Sequence, residues 1–481
     1  MTQYDLVIKG GLAVLENGPV RADIFISGGK IKRVGRPDRG TCDASRVIDA
    51  RGLVILPGLI DAHVHYSLHL GGGKMTADDF YSGSAAAACG GVTSVIDYTG
   101  QGPGVPLREG LKERIEEAEG LMHVDYGFHA IIPSWKKLSD PAGQIKELMA
   151  MGVSSFKFFM AYESRGLMAS DAELFEALEA SRLSGALVCV HAESGGIVDL
   201  LTERRRRERH PGADAHRLSR PDFTEWEAVG RALVLAGCTG GNIYFVHLSS
   251  GVSAGLIARA RGIGVRALGE TAPQYLLLKD SVFRRGDGHL YATCPPVRTP
   301  ADSKALWAAL SEGAVGVMAT DNCTFTSKQK DEWGGDIGRL CMGLPGTQTL
   351  LPLIYTFGVK QGRMKLSGLA RALSSNPAKV MGLYPRKGAI KPGSDADLAI
   401  IDPTASATVD FRKLQHKTDY SPYQGVKLYG WAKYTILRGE MIAEEGKLSK
   451  PDRPTGQFLR RKKSVMPEVV KRKTGIARKN K

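Results

Sequence analysis

The chain has 481 residues, 43% hydrophobic and 24% charged, an ordinary globular composition too long for one small core. It contains no run of about 18 apolar residues, which excludes a membrane-spanning helix, and its first residues lack the basic, apolar and small-residue regions of a signal peptide. The net charge of +15 is uneven: residues 460–481 hold ten Lys/Arg and one Glu, with no aromatic residue for base stacking, so this stretch reads as a solvated, partly disordered tail rather than a nucleic-acid-binding element.

Residues 4–52 read as short strands at 5–8, 11–15, 22–26 and 30–34, punctuated by glycines and Asn17. Apolar strand-like runs then alternate with longer helix-like stretches. The runs are 53–60, 91–98, 125–132, 154–160, 186–192, 243–249, 265–272 and 314–321. Near-continuous apolar runs are what strands covered on both faces require. Eight strand–helix units predict a (β/α)8 barrel, with function gathered at the C-terminal strand ends. Residues 384–447 return to the opening style, with strands at 396–401 and 434–438. The expected organisation is a β-sandwich built from 1–52 and 384–447, a barrel over 53–383, and a basic extension over 448–481. Seven scattered cysteines without a CxxC pair suit reduced thiols in a cytoplasm.

Polar residues fall at the ends of the runs. The first ends Asp61-Ala-His63-Val-His65. Side chains alternate along an extended segment, so both histidines point to one side and can chelate one metal ion, with Asp61 in or behind the ligand set. Two unrelated histidines near a turn are the competing reading. The fourth run contains Phe156-Lys157-Phe-Phe159. Burial among aromatic rings pushes a lysine toward the neutral amine, which reacts with carbon dioxide to give an anionic carbamate able to bridge two cations. A lysine snorkelling to solvent is the alternative. The fifth, sixth and eighth runs end at His191, His247 and Asp321. A single histidine at a strand end is usually structural, but these residues lie on five of the eight strand ends.

With those residues in view, the chain resembles the cyclic amidohydrolases, dihydropyrimidinase and hydantoinase above all. The likeness runs through Asp61-Ala-His-Val-His65, Thr76-Ala-Asp-Asp-Phe-Tyr81, Ser155-Phe-Lys-Phe-Phe-Met160, Val190-His-Ala-Glu193, Gly269-Glu-Thr-Ala-Pro-Gln-Tyr275, Pro295-Pro-Val-Arg298 and Thr320-Asp-Asn-Cys-Thr-Phe325. It continues in Asp419-Tyr-Ser-Pro-Tyr-Gln-Gly-Val-Lys427 and Gly456-Gln-Phe-Leu-Arg-Arg461. The resemblance implies two divalent metal ions, usually zinc, with manganese or cobalt as alternatives. His63, His65 and Asp321 would hold the more buried ion, His191 and His247 the more exposed one, with carbamylated Lys157 between them. It implies Tyr162 as oxyanion stabiliser and Asp321 as general base and acid, acting with a hydroxide made available by the cations. It also implies a small cyclic amide or ureide substrate and a homo-oligomer, most simply a tetramer.

Three departures concern the substrate. His69 and Leu70 replace a common Pro-Phe pair in the loop 66–73. Met342 stands where the family has Asn, and Cys294 where many hydantoinases have Ser. Both of those family contacts run largely through the main chain. Tyr66 stands where a dihydroorotase has arginine, which argues against that substrate. Allantoinase stays open through Gly346-Thr-Gln348, although its usual Asn-Glu-Pro-Gly is missing. The non-catalytic collapsin-response mediator proteins share the fold, but here every metal ligand is present.

Overall fold

The computed structural model describes residues 3–36, 43–71, 74–208 and 212–467. Eight parallel strands form the barrel: β1 (Leu59–Asp61), β2 (Val92–Tyr98), β3 (Asp125–Ile131), β4 (Ser155–Phe159), β5 (Leu187–His191), β6 (Ile243–Phe245), β7 (Ala267–Thr271) and β8 (Val315–Met318). They pair in chain order from β1 to β8. Every residue of β2, β5 and β7 is buried, which is why their sequences are apolar without alternation. The remaining seam closes through side chains. Asp61 at the end of β1 accepts the Thr320 N–H at 3.0 Å and the Thr320 and Thr347 hydroxyls at 2.5 and 3.2 Å. Just beyond, the His65 N–H donates to the Asn322 carbonyl at 2.8 Å.

Helices outside the barrel return the chain between strands. Asp171–Ser184, after β4, shows the local logic. Ser170 accepts the Glu173 N–H while the Glu173 side chain accepts the Ser170 N–H, and Gly185 ends the helix at φ 79°. Such a cap stabilises a helix by about 1 kcal/mol.

The chain ends form a second layer. A nine-stranded sheet joins Leu6–Leu15, Gly18–Ser27 and Lys30–Gly35 to Leu398–Ile401, Ala432–Leu437 and Glu440–Glu444. Hydrogen bonds from the Ile31 N–H to Ser394 and from the Ala396 N–H to Gly29 tie its far strand back. The sheet thereby curls over Ile8, Ile24, Ile55, Leu398 and Ile436, as a sandwich does. Barrel plus β-sandwich is thus the architecture expected from the sequence.

The run 53–60 is divided. Val54–Pro57 joins the terminal sheet, between Leu6–Leu15 and Leu398–Ile401, and only Leu59–Asp61 enters the barrel. Gly58 makes the crossing, where a Cβ would stand 2.3 Å from Thr93 Oγ1.

The expectation of a solvated tail is corrected over 460–467. The Tyr126 N–H donates to Gln457, the Leu459 N–H to Tyr126, the Arg461 N–H to Gly152 and the Lys462 N–H to Gly382. Residues 456–467 thus run across the end of the barrel opposite the C-terminal strand ends. Leu459 is fully buried among the interior residues Ile60, Ile96, Leu187, Tyr244 and Leu268. The strap passes so close that a Cβ on Gly152 would lie 2.6 Å from Arg460 Cα. The sequence reading missed it because its apolar anchors are single residues between charges. The remainder of the basic extension, 468–481, lies outside the described residues. So do Gly72 and Gly73 of the substrate loop, and Cys42; the other six cysteines are free. Among the described residues no helix is long and apolar enough to cross a membrane.

Candidate metal centre

The C-terminal ends of β1, β4, β5, β6 and β8 deliver their polar residues to one place. His63 Nε2 and His65 Nε2 lie 3.2 and 3.3 Å from Asp321 Oδ1. His191 Nδ1 lies 3.0 Å from His247 Nε2. The two groups adjoin, since the His63 and His247 ring centroids are 5.4 Å apart. Asp61, by contrast, is occupied with Thr320 and Thr347 and holds the seam rather than a ligand position.

Lys157 is buried, its Nζ 5.6 Å from the Tyr98 ring centroid and 5.1 Å from that of Phe159. Burial pushes its amine down to about 8, against the opposing pull of Cys189 and Asp321. The same burial, with the Lys157 charge beside it, holds His63 well below the ordinary histidine range. His247 is pushed far down by burial, then by His191 and Lys157. His63 and His247 are therefore neutral and have lone pairs to give, the form in which histidine binds metal.

A carboxylate stands behind each group. Glu270 Oε1 lies 2.7 Å from His63 Nδ1 and also accepts the His247 N–H at 3.0 Å. Its Oε2 accepts the Tyr244 hydroxyl at 2.7 Å. Burial pushes this carboxyl up to about 8, against the opposing pull of the Tyr244 hydroxyl and the His247 N–H. The contact with Glu270 occupies His63 Nδ1 and leaves Nε2 facing Asp321. Glu193 Oε2 takes the His191 Nε2–H at 2.8 Å and forms an ion pair with Arg220. Neither Glu270 nor the Glu193–Arg220 pair has a role in the sequence reading. The available signal was a carboxylate two residues after His191, on the same side of an extended segment.

These arrangements fit divalent cations. Neutral nitrogens face one another or a carboxylate, His65 Nδ1 and His247 Nδ1 have no hydrogen-bond partner, and His63, His65 and Asp321 bring donor atoms within 4.8 Å of one another. Two further clusters reach that spacing among the described residues, but each already holds a cation. Asp125, Asp395 and Asp397 surround Lys387 Nζ at 2.6, 3.0 and 2.5 Å. In the group of His191, Glu193 and Cys294, Arg220 is paired with Glu193.

Tyr162 is half-buried beside the centre, its ring 4.9 Å from that of His191. Burial, then Cys294, hold its phenol well above the ordinary range, so it remains an O–H donor. The hydroxyl is 2.9 Å from Cys294 Sγ. Tyr162, His247 and Asp321 have φ values of 69°, 40° and 54°, a left-handed backbone that side-chain-bearing residues seldom adopt. Strain of this kind collects at functional sites. His69 and Leu70 are exposed on a short hairpin, His69–Gly71 against Lys74–Met75. Leu68 packs on Cys323, Phe325 and Cys341, which brings the hairpin near the half-buried Met342.

A barrel with such a centre at its C-terminal rim defines a class, and the chain belongs to the amidohydrolase family: the family's sequence model matches residues 54–442. Within it the chain is similar to a D-hydantoinase of Geobacillus stearothermophilus, 36% identical over 467 residues, covering 95% of this chain and 96% of the relative. It is also 36% identical to a D-phenylhydantoinase of Escherichia coli over 469 residues, covering 96% and 99%. The crystal structure of a dihydropyrimidinase from Brevibacillus agri superposes with a TM-score of 0.91 at 32% identity, covering 96% of this chain and 99% of that one.

Proposed function

We propose that this chain opens the cyclic amide bond of dihydropyrimidines or 5-substituted hydantoins to give N-carbamoyl amino acids. The observation that carries the reading is the pairing of two adjoining donor groups, His63–His65–Asp321 and His191–His247, with a buried lysine of lowered pKa beside them. The names of the relatives, D-hydantoinase and D-phenylhydantoinase, support the substrate class.

His63, His65 and Asp321 would hold one divalent ion and His191 and His247 a second, with Lys157 as carbamate between them. Zinc is the first expectation, manganese or cobalt the alternatives. When bound, such ions supply Lewis acidity and lower the pKa of water. The chain's own groups do the rest. The Tyr162 hydroxyl donates to the ring carbonyl oxygen as negative charge develops there. The Asp321 carboxylate takes a proton from the attacking water as its oxygen bonds to the carbonyl carbon. Asp321 returns that proton to the ring nitrogen as the C–N bond breaks, leaving a free carbamoyl end and a carboxylic acid that releases its remaining proton to solvent. His69 and Leu70 would face the ring substituent, with Cys294 and Met342 as further substrate contacts made largely through the main chain.

The test is hydrolysis of dihydrouracil, hydantoin, 5-substituted hydantoins, allantoin and dihydroorotate side by side, with metal content measured on the same protein. Dihydrouracil or a hydantoin should lead, with about two ions per chain and loss of activity on chelation. No ring opened and no metal bound would sink the proposal. Allantoin as the best substrate would move it to an allantoinase. We further propose a homotetramer; a monomer in sedimentation at micromolar concentration would contradict that.

A further inference from the structure

Glu193 lies one side chain behind the His191–His247 half of the centre, where several contacts meet on one oxygen. Glu193 is fully buried, and its Oε2 is 2.8 Å from His191 Nε2, paired with the Arg220 guanidinium, and 3.4 Å from Cys294 Sγ. Cys294 Sγ is in turn 2.9 Å from the Tyr162 hydroxyl, and the Tyr162 ring packs against His191 at a tilt of 46°, centroids 4.9 Å apart. His191, Glu193, Cys294 and Tyr162 therefore form a closed loop of contacts. Arg220 braces it twice, through the ion pair and with its guanidinium 5.5 Å from the Tyr162 ring centroid. Arg298 donates to the Arg220 carbonyl from behind.

The donors can be assigned in order. A carboxylate facing arginine is an acceptor only, so His191 Nε2–H donates to it and the Cys294 thiol donates to it as well. His191 is then fixed in the tautomer whose Nδ1 lone pair faces His247. The sulfur is left to accept the Tyr162 O–H. Sulfur is a weak acceptor, so a substrate carbonyl can draw that hydrogen away at small expense.

We propose that Glu193, held by Arg220, is a positioning residue that sets two elements together: the tautomer of His191 at the metal it would share with His247 and the resting direction of the Tyr162 hydroxyl. The inference rests on the metal-dependent hydrolase reading above and adds a shared support for its metal-binding and oxyanion sides. Glu193 touches neither ring nor metal; it acts through His191 and Cys294.

The experiment is zinc titration of chelator-stripped wild type, Glu193→Ala, Glu193→Gln and Arg220→Met, alongside kcat and KM. Wild type should take up two ions. Glu193→Ala should keep the first with unchanged affinity and bind the second roughly 10–100-fold more weakly, the usual effect of losing a residue that orients a metal-binding histidine. Its kcat should remain depressed even at saturating zinc, because the Cys294 thiol is no longer held by Glu193 and no longer fixes the direction of the Tyr162 hydroxyl. Glu193→Gln preserves volume and an acceptor for His191, so it should fold where alanine does not and fall between the two. Arg220→Met should follow Glu193→Ala in direction. Unchanged second-ion affinity in Glu193→Gln and Glu193→Ala, or equal loss of both ions, would overturn the role of Glu193 and leave the hydrolase intact. Wild type that binds no zinc and opens no ring would overturn both.

Discussion

Lys157 offers the sharpest test, because its environment translates into a rate. Carbamylation joins the lysine nitrogen to the carbon of CO2 and releases one proton, so only the neutral amine reacts. An ordinary lysine of pKa 10.5 is neutral in about one molecule in three thousand at pH 7, whereas Lys157, pushed down to about 8, is neutral in about one in ten. Burial thus raises the reactive fraction by roughly 300-fold. The assay takes metal-free enzyme stripped of CO2, holds dissolved 13C-labelled CO2 constant, and follows the carbamate signal and the return of activity on adding zinc. The initial rate should rise close to tenfold from pH 6 to 7 and change less than about twofold above pH 8. A rate still climbing tenfold per unit through pH 9 would refute the lowered pKa, and the absence of any carbamate signal would refute the bridge. Stability has a matching sign. Between about pH 8 and the unfolded value of 10.5 the folded metal-free protein binds fewer protons at Lys157 than the unfolded chain, so its stability should rise with pH through that window.

Tyr162→Phe should lower kcat/KM for every ring by about 10²–10³, the loss of a typical oxyanion donor; a selective effect on one substituent would contradict that role. Leu70→Phe and His69→Ala should reorder 5-substituted hydantoins while altering dihydrouracil little, and equal scaling of all substrates would show that the hairpin does not select. Lys387→Met would leave buried Asp397 without a cation, while Asp125 keeps Arg438 and Asp395 keeps Lys30 and Arg386; it should destabilise the fold by about 3–5 kcal/mol in denaturant melts, against a change under about 1 kcal/mol if the cluster is solvated.

The barrel was legible because strands covered on both faces must be apolar throughout, and the eight runs have that character. His63, His65, His191, His247 and Asp321 could be singled out because each stands at or just past the end of such a run, and Lys157 because it is the one charge inside its run. The carboxylates behind them could not. Glu270 serves His63 from 207 residues away and Arg220 reaches Glu193 across 27, separations that carry no local periodicity. The break at Gly58 was hidden for another reason: strands of two different sheets follow each other with one residue between them, and both are apolar.

The strap over 456–467 has a consequence for how the molecule is made. Every strand of the cylinder, with all the groups placed at its catalytic rim, is synthesised before the segment that stoppers the opposite end. Until then Ile60, Leu187 and Leu268 lack the covering that Leu459 provides, and the Phe128 carbonyl lacks the Arg461 guanidinium. A nascent chain with complete chemistry thus has an open base, exposing apolar surface of the kind chaperones bind. Release from that state coincides with the last stopper residues, so the chain cannot finish folding before its final barrel contacts have been translated.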